Sequence, residues 1–551
     1  MDIGITLNRR DVTLGASIGV GICLALSACG GSGTPDTIEV TQATKCTQLE
    51  NTTLPASAIG LPTRGAVVQS ATLQAASAQN GTPEFCKVVG SVLSASDADP
   101  AIQFQVNLPT RWNLKALQFG GGGLNGSVIT AIGQFTHGPA VGPTPLAQGY
   151  ATFGSDSGHQ AGPLDGSFGL NAQALANYAG ESVKRTHDAA ALLMQRYYER
   201  PARRMYHIGG SKGGHEGLVA AQRYASDYDG VVAYYPAAQN PLLVLAWNRM
   251  WRSVYGSSTS GAELNDEKKQ LLKARTLAAC DRLDGAEDGI IANTAMCQAK
   301  FDVGTLRCAS GADEGNFCLS DVQLAPLRLA SSVIEMEVPM ANGYRSVGPF
   351  PVLQGADPTG SLYDSPALRP VLGLGKATSY FYLPDPVIRM WYMQAPQSSL
   401  AQFDARQHRA RIQQLSQAYD GSNPDLDAFK SRSGKLILVQ GSTDMQVPEP
   451  ATSAYYDTVA QRYGAARRDF VRYYVQPGFA HGGGDFALTW DALTALDRWV
   501  DAGAAPADQI ATDSNANTAG RTRPLCEYPL FPKYRGSGDL SSASSFSCAA
   551  Q

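Results

Sequence analysis

Positive charge is not in excess in this chain of 551 residues: 44 lysines and arginines stand against 48 aspartates and glutamates, a formal net charge of −4. No basic field is left with which to hold nucleic acid. The one long apolar run is too short, and wrongly flanked, for a membrane-spanning helix of about 20 residues. There is no internal repeat, and no low-complexity segment beyond the N-terminal stretch. No two of the ten cysteines stand in C-x-x-C spacing, which removes the zinc and thiol-redox readings. A G-x-x-x-x-G-K-[ST] phosphate loop is missing as well. Histidine is scarce, seven in all, so a reaction that needs an imidazole base has few candidates. What is present is the composition of a packed globular protein, 44% hydrophobic against 17% charged. The length exceeds one ordinary core and implies one large domain with an insertion, or two domains.

The N-terminus reads as an export signal. Arg9 and Arg10 precede the apolar run "VTLGASIGVGICLALSA", which ends at Cys29. "LSAC" followed by "GGSG" resembles a bacterial lipobox, in which Cys29 becomes the lipidated first residue. "NRRDVTLG" also resembles a twin-arginine signal. The alternative is an ordinary secretory signal whose cysteine is accidental. On the lipobox reading, residues 1–29 are the signal and 30–45 a flexible tether. The protein is then exported, as a periplasmic or outer-membrane lipoprotein or a secreted bacterial protein, and a lipid anchor is its one membrane contact.

Export makes disulfides expected. Setting aside Cys23 and Cys29 leaves an even number of cysteines. Their pairing is formally open to many connectivities, and proximity in sequence suggests Cys46–Cys86, Cys280–Cys297, Cys308–Cys318 and Cys526–Cys548.

Along the chain, "AIQFQVNLP", "ALQFGGGG" and "YATFGSDSGH" read as strands running into turns. Residues 174–198 have helical composition and spacing. A short strand, "MYHI", then enters a glycine turn at Ser211, followed by a helix over about 214–224 and the buried strand "GVVAYYPA". The alternation stops from 238 to 434 and resumes with strands at "KLILVQGSTD" and "FVRYYVQPGFAHGG". Strands alternating with helices predict an α/β class, a doubly wound and mostly parallel sheet of the α/β-hydrolase kind. Residues 46–237 and 435–551 would form the catalytic domain. An unstructured loop as long as 238–434 is implausible in a compact domain, so that segment is expected to be an inserted lid domain.

"GGSKG" fits G-x-S-x-G, in which a serine on a tight strand-to-helix turn is exposed to attack a substrate. The motif alone is weak: "GASIG" inside the signal matches it too. Only Ser211 has a strand before it and a helix after it. A serine hydroxyl needs a base, and the base an acid to orient it. Three histidines follow Ser211. His215 lies one turn into the helix, and His408 sits in the basic stretch "ARQHRAR". His481, in "PGFAHGGG", follows a strand on a glycine-rich loop where an exposed base belongs. Asp444, in "GSTDMQVP", also lies just past a strand and completes the order Ser, Asp, His. An aspartate as a turn former and a histidine as a satisfied polar group are the plain alternatives. "FGGGGLNGS" resembles an oxyanion loop, with the N–H groups of Gly123 and Lys212 as donors; a phosphate cradle is the competing idea.

Taken together, "GGGGLNGS", "GGSKGGHEG", "CDRLDGAEDGII", "GSTDMQVP" and "RTRPLCEYPLFPKYRGSGDL" resemble the tannase and feruloyl esterase family, which also includes mono(2-hydroxyethyl) terephthalate hydrolases. The likeness runs from about Cys46 to Cys548. It implies hydrolysis of esters of aromatic acids of the hydroxycinnamic or gallic type, with Ser211, Asp444 and His481 as nucleophile, acid and base. It implies the four disulfides proposed above, and no organic cofactor. It also implies a structural calcium ion in the lid, held by the side chains of Asp281, Asp284 and Asp288 and the main-chain oxygens of Ala286 and Ile290. One departure stands out. Where family members commonly join a cysteine before the nucleophile to one after the histidine, this chain has Gly210 and Gly482.

The segment "TSYFYLPDPVIRMWYM" offers Tyr380, Phe381, Tyr382, Trp391 and Tyr392 to stack on an aromatic acyl group, or to form the lid's own core. Arg389 could pair with a substrate carboxylate, as a terephthalate monoester requires, or be a surface arginine. The alternatives to an aromatic-acid esterase are therefore a terephthalate-monoester hydrolase, a non-catalytic lipoprotein that binds phenolic esters, and a transacylase.

Overall fold

The computed structural model describes residues 38–39 and 43–550 apart from 80 and 257. The expected signal, Cys29 and most of the tether lie outside the described residues. Ten strands build one sheet: β1 (Thr53–Leu54), β2 (Ala66–Gln74), β3 (Phe85–Val92), β4 (Ile102–Pro109), β5 (Lys115–Phe119), β6 (Ala151–Ser155), β7 (Arg204–Gly210), β8 (Gly230–Tyr234), β9 (Lys435–Gly441) and β10 (Val471–Gln476). Their order across the sheet is β10-β9-β8-β7-β5-β6-β4-β3-β2-β1. From β10 to β6 every pairing is parallel; from β6 through β4 to β1 every pairing is antiparallel. The parallel strands read as continuous apolar runs because helices cover both of their faces. In β8 all of Gly230–Tyr234 is buried, and in β9 all but the first residue.

The helices that matter for the site are α1 (Ser182–Tyr198), α2 (Lys212–Arg223), α3 (Asn240–Tyr255), α4 (Asp266–Cys280), α5 (Asp321–Ala330), α6 (Arg409–Tyr419), α7 (Glu449–Tyr463) and α8 (Ala492–Ala502). One expectation needs correction. The helical run expected over 174–198 is not continuous: a wide turn over Asn177–Glu181 separates a short helix, Ala172–Ala176, from α1. Gly180 in that turn has φ 134°, and a Cβ there would stand 2.8 Å from Val219 Cγ1. The chain breaks its helix where it crosses close over α2, and only glycine fits.

Among the described residues, 238–434 gives no strand to the ten-stranded sheet; its one ladder pairs Ile334–Glu335 with Ser346–Val347. A single buried cluster runs from Ile208 and Val439 in the sheet through Leu242 and Trp247 of α3 to Tyr380, Trp391 and Tyr419. The aromatic residues Tyr380, Trp391 and Tyr392 are thus core residues, at most 3% exposed. The four disulfides Cys46–Cys86, Cys280–Cys297, Cys308–Cys318 and Cys526–Cys548 all form, bridging stretches no longer than 40 residues. No described helix is long and apolar enough to cross a membrane.

Candidate active site

Ser211 stands between the end of β7 and the start of α2 with φ 58° and ψ −114°. A side chain is rarely held at positive φ, and such a turn persists only where its surroundings fix it. They do so here. The Ser211 N–H donates to the Tyr234 carbonyl at 3.0 Å, and the Ser211 carbonyl accepts from His215 and Ala237 at 3.0 and 3.1 Å. Ser211 is half-buried at the head of α2, where the first-turn N–H groups favour negative charge.

Asp444 and His481 come from loops at the ends of β9 and β10, both on the same edge of the sheet as Ser211. Asp444 is fully buried. Its Oδ1 accepts from the N–H groups of Gln446 and Val447 at 2.8 and 2.9 Å, which leaves Oδ2 to meet His481 Nδ1 at 2.8 Å. Held this way, the aspartate fixes the imidazole tautomer that turns a bare Nε2 outward. His481 keeps a side-chain exposure of 23%. The structure therefore joins the expected acid and base directly. Ser211 Oγ has no hydrogen-bond partner among the described residues, His481 included. The serine turn and the histidine loop instead flank one ring, Tyr235, whose centroid lies 4.4 Å from that of His481.

The glycine loop after β5 lies against α2. A Cβ on Gly120 would fall 2.5 Å from Gly213 Cα, so neither backbone could come so close with a side chain present. Glu216, buried on α2, ties the loop down. Its Oε2 accepts from the Gly121 N–H at 3.0 Å, and its Oε1 takes Lys212 Nζ at 2.6 Å and the Ser157 hydroxyl at 3.1 Å. Burial lowers the Lys212 pKa, while the Lys212 charge overrides burial at Glu216 and holds its carboxyl below the usual range. Tyr178 donates to the Gly123 carbonyl at 2.6 Å and lies 4.6 Å beneath Lys212 Nζ. No backbone acceptor takes the N–H of Gly123 or of Lys212 among the described residues.

The other downstream histidines are accounted for. His215 is buried, stacked on Tyr419 and bonded through Nε2 to the Tyr419 carbonyl at 2.7 Å. His408 stands just before α6, makes no capping bond with its side chain, and stacks on Phe403. Sequence reasoning missed Glu216, Tyr235 and His137. The i,i+4 spacing of Lys212 and Glu216 was a usable signal; the other two had none.

In the acidic loop after α4, Asp281 and Asp284 are buried, 8% and 2% exposed. Asp284 accepts from the N–H groups of Ala286 and Ala292, Asp281 Oδ2 from Gly289, and Asp288 Oδ1 from Ile290. Asp281 Oδ1 is buried without a partner, and burial raises the Asp284 pKa to about 7. An orphaned, buried carboxylate oxygen suits a hard cation, but among the described residues the three aspartates do not gather their carboxylate oxygens around one point. Asp288 also pairs with Arg523. The loop touches the base loop: a Cβ on Gly478 would lie 3.3 Å from Ile290 Cγ2.

Arg389 is engaged within its own turn by Asp385, with Nη2 to Oδ2 at 2.6 Å, and so is not a free carboxylate receptor. A cavity of about 150 Å³ lies nearby, lined by Leu175, Pro241, Trp391, Tyr392 and Tyr419. Arg411 stands in its wall, bonded to the Trp391 carbonyl and the Gln414 amide oxygen, both at 3.0 Å.

A mixed sheet of this order, with a strained serine turn and an Asp–His pair at one edge, defines an α/β-hydrolase. The family profile described as tannase and feruloyl esterase matches residues 86–549, and the chain belongs to that family of ester hydrolases. It is 39% identical over 524 residues to an uncharacterized esterase of Agrobacterium fabrum, covering 92% of this chain and 93% of that one. It is 32% identical over 520 residues to the mono(2-hydroxyethyl) terephthalate hydrolase of Piscinibacter sakaiensis, covering 85% of each. The fold is similar to that of feruloyl esterase B from Aspergillus oryzae, with a TM-score of 0.75 at 21% identity over 92% of this chain and all of that one. It is likewise similar to tannin acyl hydrolase from Aspergillus niger, with a TM-score of 0.72 at 18% identity over 94% and 97% of the two chains.

Proposed function

We propose that this protein is an exported serine esterase that cleaves esters of aromatic carboxylic acids through an acyl-enzyme. The observation that carries the reading is the buried Asp444 bonded to His481 at 2.8 Å, beside the strained turn of Ser211. His481 Nε2 takes the Ser211 proton as Oγ attacks the ester carbonyl, and Asp444 stabilises the imidazolium. The N–H groups of Gly123 and Lys212 receive the oxyanion. The tetrahedral intermediate collapses, its ester C–O bond breaks, and the alcohol leaves with the proton from His481. Water, deprotonated by His481, then attacks the acyl-serine, and the acid departs with Ser211 restored. Calcium, held by Asp281, Asp284 and Asp288 with the carbonyls of Ala286 and Ile290, would stiffen the loop beneath Gly478. The four disulfides favour an oxidising compartment, and lipidation at Cys29 would tether the enzyme there.

A second reading has an observation of its own. Arg411 has no carboxylate within ion-pair distance among the described residues, and it faces an aromatic-lined cavity whose Trp391 and Tyr419 pack on Tyr178, the residue bonded to Gly123. A monoester with a free carboxylate, such as mono(2-hydroxyethyl) terephthalate, suits that chemistry. The test is acid release from methyl ferulate, methyl gallate and mono(2-hydroxyethyl) terephthalate by the mature chain, with Ser211→Ala as control. Turnover lost in the variant supports the mechanism, and the ranking names the substrate. Turnover that survives Ser211→Ala refutes it. Binding without turnover would favour a phenolic-ester-binding lipoprotein.

A further inference from the structure

We propose that Tyr235 and His137 form a polar clasp that positions the His481 loop against the Ser211 turn. The inference rests on the esterase reading above and adds two positioning residues to it.

Tyr235 follows β8 and lies between the Ser211 turn and the His481 loop. Its N–H donates to the Val439 carbonyl, on the strand that leads to Asp444, at 2.6 Å. A Cβ on Gly210, the residue before Ser211, would lie 2.9 Å from Tyr235 Cε2 and 3.0 Å from its hydroxyl oxygen. A Cβ on Gly482, the residue after His481, would lie 3.9 Å from that same oxygen. One phenol therefore fills the space between the two glycines, and its ring packs on that of His481 at a tilt of 43°.

The hydroxyl is itself held, 2.5 Å from His137 Nε2. His137 comes from the stretch between β5 and β6 and meets the segment around the base at two points. Its carbonyl accepts from the Trp490 N–H at 2.9 Å, and its ring meets Phe479 edge-on at 4.8 Å. Burial, with His481 nearby, lowers the His137 pKa to about 4, so the ring is neutral at pH 7. A neutral imidazole with its hydrogen on Nδ1 leaves Nε2 to accept the tyrosine proton. Both residues hold positive φ, 58° at His137 and 31° at Tyr235, which non-glycine residues keep only where surrounding contacts impose it. Gly482 and Gly484 are also at positive φ, and the loop's own bonds, from the Ala480 N–H to the Gly483 carbonyl and from the Gly482 N–H to the Ala480 carbonyl, both at 2.8 Å, tie it to itself and not to the serine turn. The clasp makes that link.

Tyr235→Phe removes only the hydroxyl and keeps the ring. The expected result is a kcat lowered roughly 10- to 100-fold, the loss that a small misplacement of a catalytic group produces, with KM within about twofold and the melting temperature nearly unchanged. His137→Gln should behave alike, and the double variant should be no worse than either single one, because the pair acts as a unit. Wild-type kcat in Tyr235→Phe, or losses that multiply in the double variant, would overturn the proposal. A second readout needs no substrate. Amide exchange across 479–486 should quicken at least tenfold in Tyr235→Phe, and unchanged exchange also overturns the clasp. An inactive wild type whose loop loosens in the variant would count against the esterase reading and leave the clasp standing.

Discussion

Replacing Glu216 by glutamine takes one charge out of the floor of the site while keeping its shape. Lys212 is 2% exposed, and Glu216 is its one ion-pair partner among the described residues. Breaking a buried pair from one side costs about 3–5 kcal/mol, because the remaining charge is left without compensation. The amide also has one oxygen where the carboxylate had two. One oxygen serves Lys212 and Ser157 and the other serves Gly121, so an NH₂ group must face a donor on one side. Facing Gly121, it releases the loop that carries Gly123. Misplacing an oxyanion donor should then lower kcat roughly 10- to 1,000-fold. Urea unfolding would measure the first effect and ester turnover the second. The double variant Lys212→Met, Glu216→Gln should recover much of the lost stability, since no charge remains buried alone. Glu216→Gln with wild-type unfolding and wild-type kcat would refute the account of this pair. Lost stability with normal kcat would confine the pair to folding and detach it from the loop.

Three further expectations follow from other parts of the molecule. His207, fully buried in β7 with neither ring nitrogen bonded, has its pKa lowered by burial to about 4. The unfolded chain binds that proton near pH 6.5, so the stability from keeping the ring neutral is complete above pH 6.5 and is lost as pH falls to 4. His207→Leu should therefore gain up to roughly 3 kcal/mol on wild type across that window in unfolding titrations, and a pH-independent difference would refute it. Chelation of calcium should lower the melting temperature and, through Ile290 against Gly478, the turnover as well. Asp284→Asn should remove that response, and a chelator-insensitive wild type would count against the metal site. Gly210→Ala puts a methyl group into the Tyr235 ring and should cost about 1–3 kcal/mol with a clear fall in kcat. Gly482→Ala meets nothing closer than 3.9 Å but must hold φ 94°, a cost of about 1 kcal/mol with kcat less affected. Equal effects on kcat in the two variants would argue against the steric difference.

Much of the site was legible because its grammar is local. Ser211, Asp444 and His481 each sit one short turn beyond a strand, and a strand followed by glycine and polar residues can be read in a window of ten or so. The local disulfides were readable for the same reason. What escaped reading depends on long-range contact: Gly121 and Glu216 are 95 residues apart, and His137 and Tyr235 are 98. His137 was also excluded by position, since it precedes the serine and the search for a base looked only after it. Arg389 failed as a carboxylate receptor through a partner four residues away, Asp385, which the sequence did display. The break at Gly180 was hidden because its cause, Val219, lies on another helix.

The phenol wedged between Gly210 and Gly482 bears on how this chain can change by descent. Within the family it resembles, a covalent bridge across these two positions is common. Here a first cysteine at 210 collides with the Tyr235 ring, and a first cysteine at 482 is a lone thiol with no partner in reach. Shrinking the tyrosine first would discard the clasp before any bridge exists. Each single step toward the bridge therefore costs this chain something before the bridge exists: a clash at 210, an unpaired thiol at 482, or the loss of the tyrosine contacts.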